Sequence, residues 1–208
     1  MSSNADRTSG AGPPLAGRTG RGRLFVLSGP SGSGKSTVIA RALAAGDLPV
    51  RLAVSATTRP PRPGEQDGVH YHFWTLAQFA LALAQDQFLE WAEVYGHRYG
   101  TLKSEVEPYL ARGINVLLEI DVQGGEQIRR RCPDCILVFV RAGTLAAYEQ
   151  RLRERHTEDE GSLTRRVRAA AEEMAIGQTY HYQLVNDHLD HAVAEFRSLL
   201  QHSGGERA

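Results

Sequence analysis

Short apolar runs alternate with helical patterns over most of the chain, from about residue 23 to 201. The apolar runs have the length and composition of buried parallel strands, at residues 24–27, 52–56, 116–120, 136–140 and 182–185. Helical patterns follow them, up to residue 44 and at residues 124–131, 144–155, 162–176 and 189–200. Strands that alternate with helices predict an α/β fold, with a parallel sheet flanked by helices on both faces.

The stretch from about residue 57 to 101 interrupts this alternation. It opens with a proline-rich turn and continues with apolar and polar residues in alternation at 69–74. A helical segment and further short extended pieces follow. Because a period of two is typical of a strand with one buried face, the pattern predicts a small β-rich insertion in the parallel-sheet domain.

The two ends of the chain differ in composition from the part between them. Residues 1–22 contain five Gly and two Pro, and Leu15 is nearly the only large apolar side chain there. Such a segment buries too little apolar surface to order itself. We therefore expect a disordered tail at 1–22, one domain at 23–201 and a polar end at 202–208. A transit peptide is the alternative for the acid-poor tail, although the helical stripe of such peptides is missing.

Charge and cysteine content narrow the function classes. The 24 Lys and Arg balance the 24 Asp and Glu, which disfavours binding of nucleic acid or an anionic membrane by net charge. The longest apolar stretch, residues 79–84, is far shorter than the roughly 20 residues of a membrane span. Two cysteines make no disulfide framework, and no secretory apolar region is found. We expect a soluble cytoplasmic protein, and the pattern leaves a homo-oligomer open.

A glycine-rich motif follows the first predicted strand and opens the first predicted helix. It matches G-x-x-x-x-G-K-[ST], and with the next residue it predicts an ATP phosphate site made of Gly29, Pro30, Ser31, Gly32, Ser33, Gly34, Lys35, Ser36 and Thr37. Glycines let backbone N–H groups approach phosphate oxygens, and the helix start adds free N–H groups and a positive dipole end. A glycine-rich turn without a ligand is the alternative, but the strand–loop–helix context favours a phosphate site.

The lysine of this motif stands out against the composition. Only Lys35 and Lys103 are lysines, whereas the other 22 cations are arginines. A compact ammonium reaches the β- and γ-phosphates as a point charge, which a forked guanidinium does not. Ser36 would hold Mg²⁺, and Asp121, at the end of the third predicted strand, is the natural acid near the metal. The motif therefore predicts a magnesium–nucleotide site in which Lys35 is catalytic.

Residues 121–124 raise a second possibility, because they match the D-x-x-G sequence of regulatory GTPases. Those proteins read guanine with an N-K-x-D sequence, which this chain lacks. The nearest run, Asn186-Asp187, lacks the lysine of that sequence. A regulatory GTPase is therefore disfavoured.

The insertion carries a long and specific signature. Residues 55–73 match S-x-T-T-R-x-x-R-x-G-E-x-x-G-x-x-Y-x-F at every fixed position, and this segment resembles the signature of guanylate kinases. Shorter segments that are similar to the same family lie at 88–94, 99–101, 118–124, 151–152, 155, 166–167 and 185–187. The resemblance covers about residues 23–201. It implies a P-loop NTPase fold with a GMP-binding insertion at about 57–101 and a helical lid at about 144–168.

The resemblance assigns a GMP site to Ser55, Arg59, Arg62, Tyr71, Glu90, Tyr99, Thr101 and Asp121. The residue types agree with this role, because two arginines three apart beside hydroxyls suit a phosphate monoester. A carboxylate such as Glu90 can also accept both N1–H and the N2 amino group of guanine, a donor pair that adenine lacks. Glu119 or Asp121 could contact guanine instead, and the sequence leaves this choice open.

The resemblance also implies a catalytic group around the transferring phosphoryl. Besides Lys35 it contains the lid arginines Arg151, Arg155 and Arg166. Acidic residues are frequent in the same segment, so a salt-bridged exposed helix would explain these arginines nearly as well without the family.

The implied reaction is Mg²⁺-dependent phosphoryl transfer from ATP to GMP, and to dGMP as a second substrate, in purine nucleotide metabolism. Two alternatives are a peptide-binding module with a guanylate-kinase-like fold and a kinase for another phosphorylated ligand, such as ribose 1,5-bisphosphate. The complete phosphate loop argues against the module. Glu90 together with residues 99–101 argues against the other kinase.

The chain departs from the family pattern in three places. Residues 141–143 are Arg-Ala-Gly where a proline pair is usual, and His97 stands where Asn is usual. His156 stands where the lid usually has Gly, which predicts a stiffer hinge. These departures bear on the turnover rate and not on the kind of reaction.

Two further signals are weaker. Cys132 and Cys135 form a C-x-x-C pair, but no second pair completes a zinc site, and the Pro-Asp between them favours a turn. His70 and His72 flank Tyr71 on the opposite strand face, so we expect them on the surface.

Overall fold

The computed structural model describes residues 20–94, 96–153 and 160–202. Its larger sheet has five parallel strands in the order β2-β7-β1-β8-β9. Their bounds are Leu24–Ser28 (β1), Val50–Leu52 (β2), Asn115–Glu119 (β7), Ile136–Arg141 (β8) and Tyr182–Val185 (β9). The predicted parallel sheet is confirmed, and the strand that leads into the glycine-rich motif lies at its centre.

Helices cover both faces of this sheet, as predicted. The described helices are Lys35–Leu43 (α1), Leu76–Ala84 (α2), Glu107–Ala111 (α3), Val122–Arg131 (α4), Leu145–Arg153 (α5), Glu160–Gly177 (α6) and Leu189–His202 (α7). Of these, α1 and α7 cover one face of the large sheet and α3 and α4 the other, whereas α2 packs on the second sheet. Successive residues of β1 point to opposite faces. Phe25 and Leu27 are buried with α1 and α7, and Leu24 and Val26 with α3 and α4. Burial on both faces explains why β1 is apolar throughout.

The segment that interrupts the alternation forms a second sheet, which confirms its β-rich character. Its strands are Ala56–Thr57 (β3), His72–Phe73 (β4), Phe88–Val94 (β5) and His97–Leu102 (β6), in the order β4-β3-β6-β5. β3 and β4 are parallel, whereas the other pairs are antiparallel. Phe79 of α2 stacks on Phe88 with ring centroids 4.3 Å apart, and Trp74 and Trp91 complete this small core.

The prediction of one strand at 52–56 is wrong. β2 ends at Leu52 in the large sheet, and β3 begins at Ala56 in the small one. Between them the chain crosses from sheet to sheet, and Val54 donates its N–H to Oε2 of Glu105 at 3.3 Å. The two ends of the apolar run at 52–56 therefore belong to different sheets.

The prediction for 69–74 is also wrong in extent, because only His72 and Phe73 pair as a strand. The N–H groups of residues 69 and 70 both bond to the carbonyl oxygen of Gln66, which makes a turn there. His70 is exposed as expected. His72 is half-buried, contrary to expectation, because its Nε2 faces Oε1 of Glu105 at 3.5 Å.

Several predicted segments lie outside the described residues. These are residues 1–19 of the tail, residues 203–208, and lid residues 154–159, which include Arg155 and His156. The tail prediction extends three residues into the described part, where Gly22 donates its N–H to the carbonyl oxygen of Leu110 at 2.8 Å. Among the described helices, none has the length and apolarity to reach across a bilayer.

The C-x-x-C pair forms the predicted turn. The N–H of Cys135 bonds to the carbonyl oxygen of Cys132 at 2.9 Å, and both thiols are free. Burial raises the pKa of each thiol, to about 11 for Cys135, which keeps them protonated and unreactive at neutral pH. In the ranges that the structure covers, no three His, Cys, Asp or Glu side chains are grouped to hold a metal.

Candidate active site

The glycine-rich motif connects β1 to α1 with a positive φ at three glycines, and at two of them a side chain would also meet a neighbouring atom. Gly34 has a φ of 92°, and a Cβ there would lie 2.3 Å from Nδ2 of Asn186. Asn186 follows β9 and donates from the same nitrogen to the carbonyl oxygen of Ser33 at 2.9 Å. At Gly29 a Cβ would lie 2.1 Å from the carbonyl oxygen of Val140. The end of β8 and the residue after β9 therefore set the shape of the loop.

Lys35 folds back onto this loop. Its Nζ donates to the carbonyl oxygens of Gly29 at 2.5 Å and Pro30 at 3.1 Å. Burial lowers the pKa of Lys35, and nearby carboxylates oppose this by favouring the charged form, namely those of Glu119, Glu173 and Asp121. The loop thus presents an ammonium group at the place where the motif predicts phosphate.

Two acidic residues lie at the carboxyl end of β7. Oγ of Ser36 donates to Oε1 of Glu119 at 2.6 Å. Asp121 begins α4, where its Oδ1 accepts the N–H of Gly124 at 2.8 Å, and burial raises the pKa of this carboxyl. Hydroxyl and carboxylate oxygens are the ligands that Mg²⁺ prefers, so the donor set fits the metal. The acid that contacts Ser36 is Glu119, and the metal role of Asp121 stays a prediction.

Arg59 is the centre of a second cationic cluster, in the smaller sheet. It is 9% exposed, and its guanidinium lies 5.5 Å from the ring centre of Tyr71. Its Nη2 pairs with Oε1 of Glu65 at 2.8 Å, while the backbone N–H of Arg62 bonds to the other oxygen of Glu65 at 2.7 Å. Glu65 therefore holds both arginine positions, with the side chain of Arg62 at the surface.

Two tyrosines extend this cluster toward the phosphate loop. The rings of Tyr71 and Tyr99 meet edge to face with centroids 5.9 Å apart. Burial, aided by the charge of Glu119, raises the pKa of Tyr71 to about 12, so its hydroxyl stays a donor. Glu119 thus bonds Ser36 of the phosphate loop and also acts electrostatically on Tyr71 of the second cluster.

Glu90 and Thr101 form a buried polar pair across β5 and β6. Glu90 is 3% exposed, and the hydroxyl of Thr101 donates to its Oε1 at 2.7 Å. Oε2 lies against the start of α4, where a Cβ at Gly124 would come within 2.5 Å of it. Burial, together with Asp121, raises the pKa of Glu90 to about 7. Ser55 lies beside this region, with its carbonyl oxygen bonded to the N–H of His72 at 2.9 Å.

Comparison with known proteins decides the family. The family model described as guanylate kinase matches residues 21–203. The chain belongs to the guanylate kinase family. It is 47% identical over 182 residues to a guanylate kinase of Sphingopyxis alaskensis, covering 87% of this chain and 82% of that one. It is 44% identical over 190 residues to that of Rubrobacter xylanophilus, covering 89% and 98%.

A solved structure agrees with this assignment. The crystal structure of guanylate kinase from Anaplasma phagocytophilum matches with a TM-score of 0.75 and 26% identity, over 90% of this chain and 89% of that one. Together with the curated relatives it supports the prediction of an enzyme, a nucleotide-binding kinase with a P-loop α/β fold.

The segment predicted to be a lid, at about 144–168, is described in part. Arg166 of α6 donates from Nη2 to Oγ of Ser31 in the phosphate loop at 2.9 Å. The side chain of Arg151 and all of Arg155 fall outside the described part. The alternative of a salt-bridged helix fits other arginines of the lid helices, since Arg153 pairs with Glu149 and Arg168 with Glu172. Their roles in phosphoryl transfer stay predictions.

At residues 141–143, where the family pattern predicted a proline pair, hydrogen bonds hold the backbone. The guanidinium of Arg141 donates to the carbonyl oxygens of Ala142 at 3.2 Å and Gly143 at 3.1 Å. Gly143 donates its N–H to Oδ1 of Asp187 at 2.8 Å. These bonds fix the segment that connects β8 to the lid.

Three residues of the site escaped the sequence analysis. Glu65 is a fixed position of the signature, which was a usable signal, but no role was given to it. Glu173 acts on Lys35 from α6, and the pattern of a charged helix gave no sign of this. Tyr148 of α5 bonds through its hydroxyl to the carbonyl oxygen of Ser31, and the sequence analysis gave this residue no role.

Proposed function

We propose that this guanylate kinase transfers the γ-phosphoryl group of ATP to GMP, giving ADP and GDP. The segment 119–124 carries the proposal, because a different substrate site lies against each of its ends. On one side Glu119 bonds Ser36 of the phosphate loop at 2.6 Å. On the other side Gly124 packs against the carboxylate of Glu90. The phosphates of ATP and the base of GMP thus bind at separate sites, and residues 119–124 line both.

ATP occupies the loop from Gly29 to Thr37 in this proposal. Backbone N–H groups and the start of α1 bind its phosphates, and Lys35 supplies a positive charge at the β- and γ-phosphates. Ser36 and Asp121 hold Mg²⁺, with Glu119 against Ser36. The metal, when bound, neutralises charge on the phosphate oxygens.

GMP occupies the smaller sheet. Glu90 accepts N1–H and the N2 amino group of guanine, while Thr101 and Ser55 contact the base or its O6. The phosphate binds to Arg59, Arg62, Tyr71 and Tyr99. Asp121 borders both substrates, since its charge acts on Lys35 and on Glu90. No role in this scheme requires the 2′-hydroxyl, so dGMP is a second substrate.

Catalysis in this scheme comes from position and charge, without a strong general base. Arg151, Arg155 and Arg166 close over the transferring phosphoryl group with the lid. Closure also excludes water, which would otherwise waste ATP by hydrolysis. The proposal places the protein in purine nucleotide metabolism, including the recycling of GMP, and in the cytoplasm.

A coupled assay of ADP release tests the function. GMP, dGMP, AMP, UMP and ribose 1,5-bisphosphate are offered as acceptors with ATP and Mg²⁺. We expect turnover with GMP and dGMP and little with the others. Turnover of ribose 1,5-bisphosphate above that of GMP would favour the alternative kinase, and ATP binding without turnover of any acceptor would favour a binding module.

A further inference from the structure

Ser31 of the phosphate loop is held by α5 and α6, the two helices that contribute to the predicted lid segment. The hydroxyl of Tyr148, on α5, donates to the carbonyl oxygen of Ser31. Nη2 of Arg166, on α6, donates to the Oγ of the same residue at 2.9 Å. Ser31 itself is exposed.

Apolar side chains pack around the ring of Tyr148 and hold it in place. Tyr148 is 1% exposed and packs in a small apolar cluster with Ala142, Ala147, Ala170 and Val167. Its helix is fixed at the first turn as well, because Oγ1 of Thr144 accepts the N–H of Ala147 at 3.1 Å. A rigid phenol therefore reaches the loop from a fixed helix start.

This bond fixes the orientation of one peptide group in the loop. In a trans peptide the C=O and the following N–H point in opposite directions. With the carbonyl of Ser31 directed at Tyr148, the N–H of Gly32 is directed away from α5. Gly32 has a φ of 102°. Because glycine adopts positive and negative φ about equally readily, its own backbone preference does not fix the orientation of the Ser31–Gly32 peptide. A phosphate loop binds through N–H groups that already point at the ligand.

We infer that Tyr148 is a positioning residue for ATP, which orients the Ser31–Gly32 peptide so that the loop is preorganised for phosphate. The inference rests on the proposed function, since it concerns the donor site of that reaction. Without the hydroxyl, the carbonyl of Ser31 turns to water and ATP must reorder the loop when it binds. The cost falls on ATP, because the residues proposed to bind GMP, apart from Asp121, lie in or beside the smaller sheet.

The test compares wild type with Tyr148→Phe by calorimetry of ATP binding in the presence of Mg²⁺ and absence of GMP. We expect the Kd for ATP to rise about threefold to tenfold, the net worth of one hydrogen bond. The Kd for GMP, measured separately, should be unchanged. Tyr148→Leu, which also lacks the hydroxyl, should show the same selective defect.

Tyr182→Phe is the matched control, because Tyr182 is 42% exposed on β9 and its loss of a hydroxyl should change neither Kd. A purely structural role for Tyr148 would lower the melting temperature and leave both Kd values alone. That result, or an equal loss of ATP and GMP binding, would overturn the inference. If wild type binds ATP but phosphorylates no GMP, the proposed function fails, whereas the Tyr148 comparison is still decided by ATP binding.

Discussion

Thr101 donates a hydrogen bond of 2.7 Å to Oε1 of Glu90, across two strands and out of contact with solvent. The bond occupies one lone pair of a carboxylate whose second oxygen lies against Gly124. Burial raises the pKa of Glu90 to about 7, although the bond from Thr101 and the charge of Arg131 act in the opposite direction. The group proposed to read guanine therefore changes its charge near neutral pH.

Binding of GMP should weaken as the pH falls below about 7. Only the ionised carboxylate of Glu90 can accept two N–H groups of guanine, and its pKa lies at about 7. The Kd for GMP should rise about tenfold per pH unit on the acidic side and level off above pH 8, as calorimetry would show.

The phosphate of GMP titrates near pH 6, so the same series is run with guanosine, which has no phosphate. ATP binding over the same range reports any general loss of the fold. A Kd for guanosine that does not change between pH 6 and 8 would contradict the role of Glu90.

The free protein should gain stability at high pH when Glu90 is replaced by Gln. The folded protein holds the pKa at about 7, above the ordinary 4.5, so it favours the protonated form. This contribution is complete below pH 4.5 and is lost as the pH rises through 7. The difference in pKa corresponds to about 3 kcal/mol.

The free energy of unfolding of wild type and Glu90→Gln, from urea denaturation between pH 4.5 and 8.5, measures this effect. The variant should gain on wild type with rising pH, by up to about 3 kcal/mol. A difference that is constant over the whole range would show that Glu90 is ionised in the folded protein as readily as in the unfolded one.

Lys35→Ala should reduce kcat by roughly 10²–10³ while the fold survives, by analogy with the loss of one preorganised contact to a developing charge. Lys103→Ala is a matched control, because it removes the only other lysine, whose Nζ pairs with the exposed Asp86 at 2.6 Å. Steady-state kinetics with circular dichroism compares the three proteins. Near-normal turnover of a folded Lys35→Ala protein would rule out the assigned phosphate site.

The sequence predicted what is encoded by adjacent residues. The loop from Gly29 to Ser36 needs its glycines in a fixed local order, and β1 needs apolar residues on both faces, so both could be predicted from short segments. The prediction of one strand at 52–56 was wrong because apolar residues indicate burial, but they do not indicate which of two sheets buries them.

Contacts between distant segments were beyond the sequence. The bond from Tyr148 to Ser31 joins residues 117 apart, and that from Ser36 to Glu119 joins residues 83 apart. The position of Tyr148 in the helical pattern does not indicate that its hydroxyl contacts the phosphate loop. The sequence likewise named Asp121 as the acid near the metal, whereas Glu119 contacts Ser36, because β7 ends with Glu119 against the loop.

The kcat/KM values for GMP and AMP, measured in wild type, Glu90→Gln and Glu93→Gln, test the central claim most directly. Glu93 lies on the same strand with an exposed side chain, so its variant controls for loss of charge on β5. Wild type and Glu93→Gln should prefer GMP to AMP by about 10⁴–10⁵, because AMP leaves the buried acceptors unpaired. In Glu90→Gln this ratio should collapse, with the KM for ATP nearly unchanged. A Glu90→Gln enzyme that keeps the wild-type ratio would contradict the account.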